Sequence, residues 1–124
     1  MFFTLKRGMV FVDKGDPIAA DFNLGMLTLD GNYHELDLSG VIPVGTKLVM
    51  IRLHIEGLEG PLIYSFRKKG NTNEINIHKF VGYTIAGEGD GTVFVACSSD
   101  LKIEYNLPSN EYTCCDLTVG GWIV

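Results

Sequence analysis

The stretch Leu48–Glu56, LVMIRLHIE, alternates between two kinds of side chain over its whole length. Every second residue from Val49 to Ile55 is aliphatic, whereas the even-numbered positions from Arg52 onward are polar. Because successive side chains of a β-strand point to opposite faces of a sheet, this pattern predicts a strand with one buried and one exposed face. Residues 101–106, LKIEYN, alternate in the same way, so odd positions are expected to face a core there too.

Further strands are predicted wherever apolar, β-branched or aromatic residues cluster between turns. These runs cover residues 9–12, 22–29, 33–38, 62–66, 74–78, 92–97 and 112–124. Turn chemistry rich in Gly, Pro, Asp and Asn separates them at residues 30–32, 42–45, 57–61 and 87–91. No window keeps apolar residues at helical spacing for three turns, so no significant helix is expected.

About eight short strands without crossover helices indicate an all-β fold. We therefore predict an antiparallel β-sandwich that resembles a jelly roll. Residues 22–124 are expected to form a single domain, with residues 1–21 as an N-terminal arm or a first strand. A chain of 124 residues is long enough to bury such a core without metal or disulfide support.

Composition argues against several classes of partner. The chain carries a formal net charge of −5 and a pI near 5.0, whereas proteins that bind nucleic acids non-specifically carry a basic excess. Its apolar runs are far shorter than the ~20 residues that cross a membrane. The first seven residues lack the pattern of a secretory signal, so synthesis in a cytoplasm is expected.

Motifs for catalysis, cofactors and metals are absent from the sequence pattern. The three cysteines include the adjacent Cys114 and Cys115, and they form neither a disulfide framework nor a CxxC pair, so small buried side chains are expected. No HxH, HExxH or GxSxG motif occurs. Glu88 and Asp90, between glycines, offer too few oxygens for calcium, and a loop is expected there. We expect no enzymatic activity, no cofactor and no metal.

The most polar tract is FRKKGNTNEIN, residues 66–76. One interpretation is a structural hairpin that leaves a strand at Phe66, turns at Gly70 and enters the next strand at Glu74. A second is a cationic patch that faces an acidic partner, and a third is ligand binding.

Four ordered segments of the chain carry a family resemblance. They are LTLDGNYHELDLSGVIPVGTKLVMIRLHIE, FRKKGNTNEINI, VFVACSSDLKIEY and DLTVGGW, within residues 27–122. This series resembles small β-sandwich proteins and domains of tailed-phage virions, which serve as capsid decoration (cement) proteins or as tail-associated domains. The resemblance implies a virion location on the capsid surface, the major capsid protein or other virion subunits as partners, and self-association as a homotrimer.

The alternative under the same resemblance is a receptor- or glycan-binding module of a phage tail or fibre, with Tyr83 and Tyr112 as exposed aromatic residues. For a decoration protein, the best-placed contacts are aromatic and cationic residues near the N-terminus and in the polar tract. The expected partner contacts are Phe2, Phe3, Lys6, Arg7, Arg67, Lys68 and Lys69.

Overall fold

A computed structural model describes residues 9–57, 60–84, 87–109 and 111–124 of the chain. Within them lie eight β-strands and two short 3₁₀ turns, Leu24–Met26 and Glu74–Asn76. The strands are β1 (Phe11–Asp13), β2 (His34–Asp37), β3 (Leu48–Glu56), β4 (Gly60–Lys68), β5 (His78–Thr84), β6 (Glu88–Ala96), β7 (Lys102–Asn106) and β8 (Cys114–Ile123). Among the described residues, no helix has the length and apolar character needed to span a membrane.

The strands form two four-stranded antiparallel sheets, in the orders β1-β8-β3-β6 and β2-β7-β4-β5. The first strand in the chain pairs with the last, the second with the seventh, and so on inward. The pairs are β1·β8, β2·β7, β3·β6 and β4·β5. This nesting is the jelly-roll arrangement. The predicted fold class, an all-β antiparallel sandwich of jelly-roll type, is confirmed.

The core lies between the two sheets, and the predicted alternation is confirmed on both strands that suggested it. Val49, Ile51, Leu53 and Ile55 are each at most 2% exposed. On β7 and just before it, the odd positions from Leu101 to Tyr105 are also buried. Burying such aliphatic and aromatic side chains contributes roughly 1.5–3 kcal/mol each, which makes this core the main source of stability.

Two predicted strands are wrong. Phe22 makes only an isolated bridge to Leu117, and the Asn23 side chain then accepts a hydrogen bond from the Gly25 N–H (3.0 Å), which starts a 3₁₀ turn. The run at residues 74–78 likewise begins as a 3₁₀ turn, and the strand starts only at His78. At Asn23 the side-chain hydrogen bond to the backbone favours a local turn over an extended ladder, whereas Asn73 makes no such bond.

The sequence predicts a loop at the glycine-rich residues 87–91, but this prediction is wrong after Gly87, because β6 begins at Glu88. Gly89 and Gly91 pair with the inward-facing Ile55 and Leu53, so the core positions of this half-strand carry no side chain. The apolar alternation that marks a strand in sequence is therefore missing, although the backbone ladder is complete. Glu88 and Asp90 consequently project from the outer face.

Gly57, directly after β3, is held against the chain that leads into β8. Its φ is +103°, and a Cβ there would lie 2.6 Å from the Thr113 nitrogen, whose N–H donates to the Glu56 carbonyl (2.9 Å). Gly31 also has a positive φ, +80°, but a Cβ there would meet nothing within 4 Å.

We expect Gly57→Ala to lower the free energy of unfolding by about 3 kcal/mol, because it adds a steric clash to an unfavourable backbone conformation. Gly31→Ala, the matched control, bears only the conformational cost of about 1 kcal/mol. Urea unfolding of both variants measures the difference. Equal losses would show that the chain near Thr113 moves away without cost.

Candidate functional site

The cationic tract extends the end of β4 into a turn. Arg67 and Lys68 are the last residues of the strand, and Lys69 follows before Gly70, which has a φ of +95°. The Asn71 N–H donates to the Lys68 carbonyl (2.9 Å) and closes the turn. The hairpin interpretation therefore describes its backbone, with the correction that the next strand begins at His78.

Two of the three cations in this tract are neutralised within the chain. The Arg67 Nε donates to Glu104 on β7 (2.6 Å), and both side chains are more than four-fifths buried. The guanidinium also lies 3.6 Å from the centre of the Tyr33 ring, a favourable cation–π distance. Arg67 thus holds β4 to β7 and contributes little charge to a partner.

Lys69 is paired with acidic residues of the neighbouring strands and turns. Its ammonium lies 2.8 Å from Asp100 and 3.7 Å from Glu35, and Lys102 approaches the same glutamate at 3.3 Å. For Lys68, no ion pair is found among the described residues. The structure thus leaves Lys68 as the tract's best candidate for an electrostatic contact outside the chain.

The N-terminal contacts predicted from the sequence, Phe2, Phe3, Lys6 and Arg7, lie outside the described residues. The first residues described are Met9 and Val10, and both are exposed. Phe11–Asp13 then pair with the last residues of β8. Residues 11–13 therefore form an edge strand of the β1-β8-β3-β6 sheet.

One end of the outer face of this sheet is apolar. Cross-strand partners share a face, and Leu48 pairs with both Ala96 and Ile123, while Ile123 pairs in turn with Phe11. This face points outward, because the neighbouring Val49 is fully buried on the inner face.

Two residues further along β3, Met50 pairs with Phe94 and with Gly121. A Cβ at Gly121 would meet the Phe11 ring, so the missing side chain makes room for that ring on the sheet. Phe11 and Phe94 each remain 48% exposed. We call this surface the apolar patch; it consists of Phe11, Leu48, Met50, Phe94, Ala96 and Ile123.

The opposite end of the same face is polar and rich in groups that bind metals. On β3, His54 pairs with Asp90 and Asp116, and Glu56 pairs with Glu88 and Cys114. We call this surface the polar cluster; it consists of His54, Glu56, Glu88, Asp90, Cys114 and Asp116. It contradicts the expectation that Cys114 is buried, since its side chain faces outward while that of Cys115 is fully buried.

His54 is the centre of the polar cluster. Its Nδ1 lies 2.6 Å from Asp90 Oδ1, and its Nε2 lies 2.7 Å from Glu56 Oε2 and 3.9 Å from Glu88 Oε1. The hydrogen bonds to Glu56 and Asp90 raise the pKa of His54. Burial, together with the negative charge of Asp116, raises the pKa of the Cys114 thiol to about 11.

A groove of about 450 Å³ lies over the middle of this face. Residues 16–20, which follow β1, form one wall, and Arg52, His54, Asp90 and Asp116 are among the side chains that line it. The groove leaves the polar cluster accessible to solvent and separates it from residues 16–20.

Tyr112, predicted as an exposed aromatic residue for glycan binding, is engaged within the fold. Its hydroxyl donates to the Pro108 carbonyl (2.7 Å), and its ring packs against the core. Tyr83 belongs to β5, and its side chain lies outside the described residues. The glycan-binding alternative therefore loses one of the two residues that suggested it.

Comparison with known proteins adds no relative: no family model matches the chain, and a search of curated proteins finds no match.

The ion pair between Lys69 and Asp100 predicts a specific response to acid. Hydrogen bonds from Lys69 and Ser98 lower the pKa of Asp100 to about 2 from an ordinary value of 3.8. A carboxyl with a depressed pKa in the folded state stabilises the fold above its unfolded pKa, and this contribution is lost as the pH falls toward 2. In Lys69→Met we therefore expect lower stability than wild type at pH 6 and a difference that shrinks between pH 4 and pH 2.

Lys68→Met is the matched control, because the same charge is removed where no ion pair is found among the described residues. Its stability difference from wild type should not vary between pH 4 and pH 2. Urea unfolding at three pH values tests both variants, and parallel profiles for the two would refute the assignment to Lys69.

Proposed function

We propose that this protein is a structural virion protein of a tailed phage, a capsid decoration (cement) protein that binds and stabilises the surface of the head. In this role it self-associates as a homotrimer, and it contacts the major capsid protein through its N-terminal segment. The sequence resemblance of residues 27–122 supports the virion setting. The jelly-roll fold is one that viral capsid proteins use, although it serves other functions as well.

The observation that carries the proposal is the apolar patch. Monomeric proteins rarely leave large contiguous apolar surfaces in water, and such surfaces mark sites of protein–protein contact. Here the patch extends across all four strands of one sheet, from Phe11 on β1 to Phe94 on β6. A rigid sheet face of this kind suits a permanent contact between identical subunits.

In this proposal the N-terminal segment supplies the contact with the head. Its sequence combines Phe2 and Phe3 with the cations Lys6 and Arg7, and it is followed in the chain by the exposed Met9 and Val10 and by Phe11 of the apolar patch. Aromatic residues in such a segment anchor an interface, and the nearby charges adjust its orientation.

Light scattering tests the subunit contact. We expect the wild-type protein to show about 41 kDa at micromolar concentration, three times the chain mass of 13.7 kDa. Phe94→Arg should reduce the mass to that of one chain, because it places an unpaired charge within an apolar contact.

The control is Ile63→Arg, which changes another exposed apolar residue, 60% exposed, on a strand of the other sheet. This variant should remain a trimer. A wild-type monomer both in solution and on particles, or an Ile63→Arg monomer beside a Phe94→Arg trimer, would refute the role of the apolar patch.

Co-sedimentation with undecorated heads of the parent phage tests the contact with the capsid. We expect Phe2→Ala with Phe3→Ala to reduce occupancy strongly, since truncating a central aromatic residue typically costs about 2 kcal/mol or more. Lys68→Ala should change mainly the salt dependence, because a charge at the rim of an interface contributes about 0–1 kcal/mol.

Measurements at two ionic strengths separate the two effects. If the phenylalanine pair binds like wild type while Lys68→Ala abolishes binding, the polar tract and not the N-terminal segment holds the head.

A further inference from the structure

We propose that the polar cluster is a binding site for a divalent transition-metal ion of the zinc type, held by His54, Glu56 and Cys114, with Glu88 as a fourth ligand. The site does not depend on the virion role proposed above. It follows from the register of three neighbouring strands.

The first argument is the convergence of three different donor types. One nitrogen of His54, one carboxylate oxygen of Glu56 and the Cys114 sulfur all lie within 4.8 Å of one another. Nitrogen, sulfur and carboxylate oxygen are the donors that Zn²⁺ prefers, whereas calcium and magnesium take oxygen alone. Among the described residues, this is the one place where three such groups come this close.

The second argument is the distance that the ligands must move. In a tetrahedral zinc site with ordinary bond lengths of about 2.0–2.3 Å, neighbouring donor atoms lie roughly 3.3–3.8 Å apart. Glu56 Oε2 is now 2.7 Å from His54 Nε2, and Glu88 Oε1 is 3.9 Å away. Shifts of less than about 1 Å therefore bring these two carboxylate oxygens to the required spacing from Nε2, and the Cys114 sulfur lies within 4.8 Å of the His54 and Glu56 donors.

The third argument is the orientation of the imidazole. Histidine ligands usually donate their second N–H to a carboxylate, a backbone carbonyl or a water molecule, which fixes the ring and the tautomer. Asp90 Oδ1 occupies that position, 2.6 Å from His54 Nδ1. The Nε2 atom is thereby directed at Glu56 and Glu88. Asp90 is a positioning residue in this arrangement and not a ligand.

Charge balance supports the same assignment. Glu56, Glu88, Asp90 and Asp116 surround a single histidine, and Arg52 is the one cation lining the adjacent groove among the described residues. A divalent cation displaces the proton of the hydrogen bond between His54 Nε2 and Glu56, and that proton leaves to solvent. The Cys114 thiol releases its proton to solvent as the sulfur–metal bond forms.

The experiment uses the reduced full-length protein and two probes, Zn²⁺ by calorimetry and Co²⁺ by absorption spectroscopy. We expect one Zn²⁺ per chain, and a near-ultraviolet charge-transfer band for Co²⁺ that reports a thiolate ligand. Cys114→Ser should abolish the band, His54→Gln should weaken binding at least 100-fold, and Asp90→Asn should weaken it about 10–100-fold.

The matched control is His34→Gln. His34 also lies on a strand beside a carboxylate, with its Nε2 2.8 Å from Asp30 Oδ1, but on the other sheet and away from Cys114. It should bind both ions like wild type. Far-UV circular dichroism of each metal-free variant verifies that the sandwich is folded.

Three results would overturn the proposal. These are the absence of stoichiometric Zn²⁺ binding in the wild type, a thiolate band that persists in Cys114→Ser, and a loss of binding in His34→Gln equal to that in His54→Gln. An increase in the midpoint of thermal unfolding with Zn²⁺ in wild type but not in folded His54→Gln would support it independently.

Discussion

The double ladder of β3 is the constraint on which the rest of this structure depends. All nine residues from Leu48 to Glu56 pair with β6 on one side and with β8 on the other. A slip of one residue in either ladder would place the neighbouring strand's core side chains on the solvent face, at a cost of several buried aliphatic groups. The hydrophobic core therefore fixes the register of the strands. The register in turn determines which side chains are neighbours on the outer face.

The apolar patch and the polar cluster are two products of this one register. Outward positions at the start of β3, Leu48 and Met50, meet apolar partners, whereas those at its end, His54 and Glu56, meet acids and a thiol. The register shift between Met50 and Ile51, opposite Gly120, separates the two halves. Such a bulge increases the local twist of the strand that carries it, so the two surfaces need not face the same direction.

The parts of the fold that were predicted from sequence are those in which core-facing side chains alternate with polar ones. Residues 48–56 and 101–106 have this property, and both form strands. The start of β6 was missed because Gly89 and Gly91 occupy its inward positions, and β5 was missed because its sequence carries no clear alternation. The strand predicted at residues 22–29 is wrong for the opposite reason. Its apolar residues pack against the core, but they do so without the hydrogen-bond ladder of a strand.

The candidate sites were harder to predict, because each depends on residues that are distant in the chain. A basic tract in a sequence predicts exposed positive charge. In the structure, the pairing of β4 with β7 places Glu104 beside Arg67 and neutralises that charge. Likewise, His54 and Cys114 share no motif, and only the β3·β8 ladder brings them together. Sequence spacing reports metal ligands when they lie in one turn or loop; ligands on three strands of a sheet follow from the register alone.

The position of the polar cluster also gives a physical reason why a metal there would matter to the structural role proposed above. A bound ion would cross-link β3, β6 and β8, three of the four strands beneath the apolar patch, without touching the patch itself. Binding to the folded state alone adds stability that grows with ion concentration. It would therefore stiffen the sheet that carries the proposed subunit contact while leaving the side chains of the apolar patch unchanged, so that assembly and reinforcement could vary independently on one face.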